Sequence, residues 1–511
     1  MSSSAELDSP GTEGHDLELQ ITKEQAPLER PQNLFHEILF VAVLCSSQLM
    51  AQAGLGQGIV PLYTIGNSFG IHNPGELSWF PAAFSLTVGT FILIAGRFGD
   101  LYGHKKFVIG GFAWFGLWSL LAGFSVYSNA IFFDCCRAFQ GIGAAFLLPN
   151  SIAILGRAYK PGLRKAIIFS LFGATAPAGF VVAGAFSSLL AKFAWWPWAY
   201  WILAIVLLLY AVLAVVVIPY TPPPVLDNSE STFTRVDGLG SITGVSGLVL
   251  INFAWNQAPV VGWSNPYTYI LLIVGFIFMG LFAFVEMRIA KFPLVPLDAM
   301  SADIGFLLTC IVFGWASYSV WIYYFWQFLQ ELRHVSPLLA SAQFTPVVVS
   351  GLCAAMATGF LLGRVSGSVI MFISLCFFTV GLILLATAPV DQTYWAQTFV
   401  SLIIMPWGMD MSFPAATLLL SNAMPKEHQG VAASLVNTLV NYSISIALGI
   451  AGTIEGHVND GGRDLLKGYR GAWYLGIGLS GSGAIIAVIF GLDTWRKSKR
   501  IVEHSSEEKE S

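Results

Sequence analysis

Gly96-Arg97-Phe98-Gly99-Asp100-Leu101-Tyr102-Gly103-His104-Lys105-Lys106 separates two long apolar runs. Apolar runs alone identify a membrane protein; this charged interruption narrows the kind. Its glycines let neighbouring helices approach closely. Its acid falls at a helix end, and its basic residues follow where the chain leaves the bilayer. The reading is a short loop joining two spans.

The surrounding composition fits. The chain has 511 residues, 55% hydrophobic and 11% charged, whereas soluble domains carry about 25% charged residues. A bilayer absorbs such sequence at ~20 apolar residues per helical span. The runs lack a period of two, so helices rather than strands are expected. The net charge of -4 carries little, because the sign asymmetry runs across the membrane. The six cysteines fall in apolar runs without metal-ligand spacing and read as small buried residues.

About fourteen spans are expected from apolar length, over 36–60, 77–97, 106–127, 130–156, 165–191, 198–219, 238–257, 267–288, 304–329, 337–362, 368–388, 393–421, 429–455 and 471–493. Residues 1–33 are polar and acidic and read as a disordered cytoplasmic tail rather than a cleaved signal peptide. Residues 494–511 read as a second cytoplasmic tail. With the N-terminus inside, nineteen of the 25 Lys and Arg lie in tails or inner loops and five in outer loops, obeying the positive-inside rule. Gly359-Phe-Leu-Leu-Gly363-Arg364-Val-Ser-Gly367 faintly echoes the Gly96 stretch. If that echo is a repeat, 34–219 and 301–493 are two six-helix halves, and 220–300 is a linker with two inserted helices.

Four places carry candidate chemistry. Arg137 lies inside span four, where a charge costs at least ~3 kcal/mol and normally faces a cavity or a partner. Asp134, one turn away, is positioned to pair with it; the alternative is a purely structural ion pair. Asp410, between Pro406 and Pro414 in span twelve, is an intramembrane carboxyl suited to a proton, a cationic substrate or a structural bond. Asn437 and Asn441 share a face of span thirteen, as pathway residues or as helix glue. Trp315 and Tyr318 open an aromatic run in span nine, read first as part of the interfacial belt and second as a stacking surface for substrate.

The opening stretch resembles the loop between spans two and three of the major facilitator superfamily, G-x-x-x-D-R-x-G-R-[RK]. Gly96, Asp100 and Gly103 keep its skeleton with Lys105 and Lys106 trailing, while Leu101 and His104 replace two basic residues. The resemblance implies that Gly96, Gly99, Asp100, Gly103, Lys105 and Lys106 form a gating loop that latches the inner side. Arg137-Ala-Phe-Gln140-Gly141-Ile-Gly143-Ala-Ala145 matches every fixed position of the family's R-x-x-Q-G-x-G-A-A motif, which implies proton coupling for Arg137 and pathway access for Gln140. Span five, with Gly173, Pro177, Gly179 and Gly184, resembles the antiporter motif G-x-x-x-G-P-x-x-G-G loosely, with Ala176 and Phe180-Val181 departing from it. A Pro-kinked helix hinge is the alternative.

Span one has Gln52 where fourteen-span drug-proton antiporters carry an aspartate. Gln52 and Gln57 can bind substrate but cannot titrate. The whole membrane region resembles a fungal fourteen-span protein of the drug:H+ antiporter-2 family, in its aminotriazole- and boron-resistance branch. That implies an all-α integral membrane protein with the major facilitator fold. It also implies efflux of a small toxic compound, drug or secondary metabolite by proton antiport at the plasma membrane. The alternative is proton-independent passage of a small polar solute such as ammonium or borate. The expected partners are a small-molecule substrate, protons and the lipid bilayer, with a monomer as the working unit. No nucleic acid, metal or cofactor is expected, and no enzyme.

Overall fold

The computed structural model describes residues 33–160, 163–220, 231–295, 300–362, 364–423 and 429–510. The N-terminal tail thus lies almost wholly outside the described residues, as does Gly363 of the weak repeat. Among the described residues, fourteen helices are long and apolar enough to cross a membrane. They are α1 (Leu34–Ile59), α2 (Pro74–Tyr102), α3 (His104–Tyr127), α4 (Ala130–Ala158), α5 (Ile167–Phe193), α6 (Pro197–Val217), α7 (Gly238–Val261), α8 (Pro266–Arg288), α9 (Ala302–Leu332), α10 (Pro337–Leu361), α11 (Gly367–Ala386), α12 (Gln397–Thr417), α13 (Ser434–Val458) and α14 (Leu465–Asp493). The expected spans agree to within a few residues at most ends. The last helix does not stop at Asp493; its backbone stays helical to Glu510.

The main correction concerns the opening stretch. It is not a loop. Helix α2 continues through Tyr102, and the break is Gly103 alone, with φ 95°. That left-handed value admits glycine at little cost. Helix α3 begins at His104. Apolar length marks where a helix leaves the bilayer; backbone hydrogen bonding continues past that point.

Helices α1–α6 pack chiefly on one another, α4 against both α2 and α3, and α1 against α5. Helices α9–α14 form a second group, in which α9 touches α11, α12, α13 and α14. The groups meet along two seams, α2 with α13 and α5 with α10. Helix α7 lies over the first seam, touching both α2 and α13, and α8 leans on α7. Ile270, Ile273, Phe276, Ile277 and Phe284 of α8 are exposed, as befits a lipid-facing helix.

Close approach at the first seam rests on glycines. A Cβ on Gly89 of α2 would sit 2.7 Å from the Tyr442 backbone nitrogen of α13, and one on Gly449 would sit 2.6 Å from the Trp255 carbonyl of α7. The side of the bundle at which α1 begins is called the near face below, and the opposite side the far face.

The aromatic run of α9 also departs from expectation. Trp321, Tyr323, Tyr324, Phe325 and Trp326 are each at most 2% exposed. They are buried against neighbouring helices instead of forming a belt at the rim: Trp321, Phe325 and Trp326 pack on Phe344 of α10, and Trp326 also on Phe180 of α5.

Candidate functional site

Arg137 is 0% exposed, so its five donors need protein acceptors. Nε donates to the Phe80 carbonyl of α2 (2.9 Å), Nη2 to the Gly54 carbonyl of α1 (2.7 Å) and Nη1 to Gln140 Oε1 (2.7 Å). The guanidinium lies over Phe84, 4.9 Å from the ring centre. Gly58 leaves room for it, since a Cβ there would be 2.8 Å from Nη2.

The expected Asp134–Arg137 pair is not formed. None of these bonds reaches Asp134, whose Oδ1 is buried without a hydrogen-bond partner. Two carbonyls on neighbouring helices and the Gln140 side chain take the guanidinium instead of Asp134. Gln140 spends its amide locally as well, Nε2 donating to Ser119 Oγ (2.9 Å). Gln57 donates to the Ala199 carbonyl of α6 (3.0 Å). Both are thus held in the packing of the first helix group.

Asp410 lies elsewhere, at the α5/α10 seam. A Cβ on Gly351 of α10 would be 2.6 Å from Asp410 Oδ2 and 3.6 Å from Pro177 Cγ of α5. Gly351 thus lets an acid of α12 approach the proline of α5. Asp410 Oδ2 is buried and has no hydrogen-bond partner. The prolines shape this segment. Pro414 has no N–H, which frees the Asp410 carbonyl four residues back. Thr358 Oγ1 of α10 stands 3.4 Å from it, with its shorter bond to the Ala354 carbonyl (2.7 Å). Ser350 and Ser374 donate to the Ile403 and Gly408 carbonyls, each at 2.6 Å.

Trp315 and Tyr318 stand beside this segment. Trp315 Nε1 donates to Ser412 Oγ (3.2 Å), the two rings are 5.4 Å apart, and Tyr318 is within electrostatic reach of Asp410. The structure therefore brings Asp410, Pro177, Trp315 and Tyr318 to one place and leaves Arg137, Gln140 and Gln57 in another. Gln52 is half-buried on α1. Asn441 Nδ2 donates to the Asn437 carbonyl (3.0 Å), so the two asparagines do share a face.

Among the remaining glycines of span five, Gly179 packs on the Leu49 backbone and Gly184 on Val60, while a Cβ on Gly173 would meet nothing within 4 Å.

At the near face, His104 Nδ1 meets Asn150 Oδ1 (2.8 Å), and Asn150 Nδ2 donates to the Ala95 carbonyl (3.1 Å). A methyl on Gly99 would collide with this pair. Asp100 lies 3.5 Å from His104 Nε2. Lys105 Nζ donates to the Val215 carbonyl (2.8 Å), and Lys106 is exposed. Gly96 faces α13, its Cβ position 3.2 Å from Ser434 Oγ. Sequence reasoning missed Asn150 and Gly351. No local pattern flags either, because each matters only through a neighbouring helix.

At the far face, hydrogen bonds cross between the groups. Tyr63 OH donates to Gln327 Oε1 (2.8 Å), Gln330 Nε2 to the Val60 carbonyl (3.0 Å), and Ser188 Oγ meets Ser341 Oγ at 3.4 Å. Burial, with Tyr469 and Tyr323 alongside, pushes the Tyr63 phenol above the ordinary tyrosine range, so it remains a donor. Among the described residues no group of three or more His, Cys, Asp or Glu could hold a metal ion.

Known proteins share this arrangement. The crystal structure of the peptide transporter POT in complex with sulfate matches over 92% of this chain and 97% of that one, at 15% identity and a TM-score of 0.66; that likeness shows the fold. The chain is 64% identical over 473 residues to the low affinity ammonium transporter of Saccharomyces cerevisiae, covering 92% of each. It is 52% identical to the efflux pump terJ of Aspergillus terreus, over 93% of this chain and 92% of that one. It is 40% identical to the aminotriazole resistance protein of Saccharomyces cerevisiae, over 91% and 86%. The family model of the Major Facilitator Superfamily matches residues 42–450 and 304–509. The chain, a multi-pass membrane protein by its fourteen apolar helices, belongs to the Major Facilitator Superfamily.

Proposed function

We propose that the chain exports a small toxic compound, drug or secondary metabolite in exchange for protons, with Asp410 as the proton carrier. The observation that carries this reading is the buried, unpartnered Oδ2 of Asp410 at the α5/α10 seam, beside Pro177 and Gly351. A carboxyl there exchanges a buried charge for a neutral acid when a proton binds. Trp315 and Tyr318 supply an aromatic wall for the substrate. Arg137 tunes coupling by holding α1, α2 and α4 in one register. Residues 34–219 and 301–493 act as the two halves, and 220–300 carries the inserted pair.

The near face is cytosolic in this reading, because the loops there carry most of the Lys and Arg. Both termini then lie in the cytoplasm, the protein sits in the plasma membrane, and it works as a monomer. The Gly96–Lys106 stretch latches that face where Gly96 meets Ser434 of α13. Relatives named as an efflux pump and an aminotriazole resistance protein support export.

The relative named as a low affinity ammonium transporter supports a second reading, proton-independent passage of a small polar solute. Expression in a fungal host lacking such proteins separates the two. Accumulation of aminotriazole, borate and methylammonium is followed with and without an uncoupler. Export predicts reduced accumulation of a toxin that the uncoupler abolishes. Increased methylammonium uptake that ignores the uncoupler, with the toxins unaffected, would overturn it.

A further inference from the structure

The inserted helices carry a second pair of acids that the transport reading does not use. Asp237 caps the N-terminus of α7, and Glu286 ends α8. They are 5% and 4% exposed. Each carboxyl spends one oxygen on a backbone N–H: Asp237 Oδ1 accepts from Gly240 (3.0 Å) and Glu286 Oε2 from Val295 (3.3 Å). The other oxygens, Asp237 Oδ2 and Glu286 Oε1, are buried and have no partner. Both point to one spot, the place a methyl would occupy on Gly240. An ordinary helix cap leaves its second oxygen in water; this one turns it towards another carboxyl.

Two facing carboxylates repel, and their repulsion in a buried site is relieved when they hold one proton between them. We propose that Glu286 is a proton-binding site at the near face, distinct from Asp410, and that in its neutral form it donates to the facing Asp237 and so fastens residues 231–237 to the end of α8. A metal ion is disfavoured by the donor set. Calcium takes six to eight oxygens, and here each acid offers a single spare one.

The groups facing the pair are few. From α2, Arg97 reaches Asp237 electrostatically. The 292–295 segment brings the backbone N–H groups of Leu294 and Val295. Arg235 is half-buried, and Arg288 and Lys291 are exposed. The charged residues of α13, Glu455 and His457, lie at its far end.

The pair is connected to the gating stretch. Arg97 Nε donates to the Arg235 carbonyl (3.0 Å), and its guanidinium lies 5.7 Å from the centre of the Phe292 ring. The two segments clamped by the acids are therefore the two that hold Arg97 at the end of α2. Loss of that proton puts a second negative charge beside Asp237 in a closed space and loosens residues 231–237, whose Arg235 carbonyl holds Arg97.

Hydrogen–deuterium exchange of residues 231–241 in the full-length purified protein tests this, with rates corrected for the intrinsic pH dependence of exchange. Between about pH 6 and about pH 9 the wild type should lose about tenfold of its protection there, while Glu286→Gln, permanently neutral, should show none of that loss. If Glu286→Gln does not fold, Asp237→Asn gives the same contrast, because its amide oxygen still accepts from Gly240. Equal pH responses in wild type and variant, or no response in the wild type, would overturn the proposal. Protection restored at the higher pH by sodium or calcium alone would assign the site to a metal cation and overturn it as well.

Discussion

Helix α2 meets α13 backbone to backbone, whereas α5 meets α10 around a proline and an unpartnered carboxyl. The first seam is covered by α7, and hydrogen bonds join all three helices: Ser445 Oγ of α13 donates to the Ala82 carbonyl of α2 (2.9 Å), and Asn256 Nδ2 of α7 donates to the Ser445 carbonyl (3.2 Å). Among the described residues no inserted helix covers the second seam, where Phe180 of α5 and Phe344 of α10 pack on each other and on Trp326 of α9. Its described side-chain bond between α5 and α10 is the 3.4 Å contact of Ser188 and Ser341 at the far face. One seam is thus stitched by three helices and the other is left loose around Asp410. The contrast separates what holds the two groups together from what lets them move.

The largest effect is expected where the stitched seam is tightest. In Gly89→Val the new side chain meets the Tyr442 backbone at 2.7 Å, which no rotamer change relieves. A loss of about 3 kcal/mol, read as a fall in thermal unfolding temperature and folded yield, is expected. Gly449→Ala meets the α7 backbone and should cost about 2 kcal/mol in the same assay. At the loose seam the order reverses. Asp410→Asn should leave the unfolding temperature unchanged or raised, since it removes a buried acid, yet cut gradient-driven transport about tenfold or more.

Ser445→Ala, which removes one donor, should cost about 1 kcal/mol. Gly173→Ala should change stability by under about 0.5 kcal/mol and leave transport intact, because nothing lies within reach of the new methyl. Equal damage from Gly89→Val and Gly173→Ala would erase the distinction between the seams.

Much of the architecture was legible in the sequence, because apolar length counts spans without reference to partners. The positions of Arg137 and Asp410 were legible for a related reason: a charge inside a span stands out wherever it points. Their partners were not. Spacing placed Asp134 on the same face as Arg137, but the guanidinium turns to carbonyls of α1 and α2. The aromatics of α9 suggested a belt until their packing on α10 and α5 was known. Gln57 and Gln140 looked like pathway residues, and their amides are bound to α6 and to Arg137. That Glu286 faces Asp237 could not be read from the sequence, since only the folding of α8 back on α7 brings them together.

The most direct test compares two modes of transport in proteoliposomes holding wild-type or Asp410→Asn protein. One is uptake driven by an imposed proton gradient; the other is counterflow of labelled against unlabelled substrate, which needs no gradient. The account predicts that Asp410→Asn keeps counterflow and loses gradient-driven accumulation. Gradient-driven accumulation at the wild-type level in Asp410→Asn would contradict it, and would place proton coupling away from the loose seam.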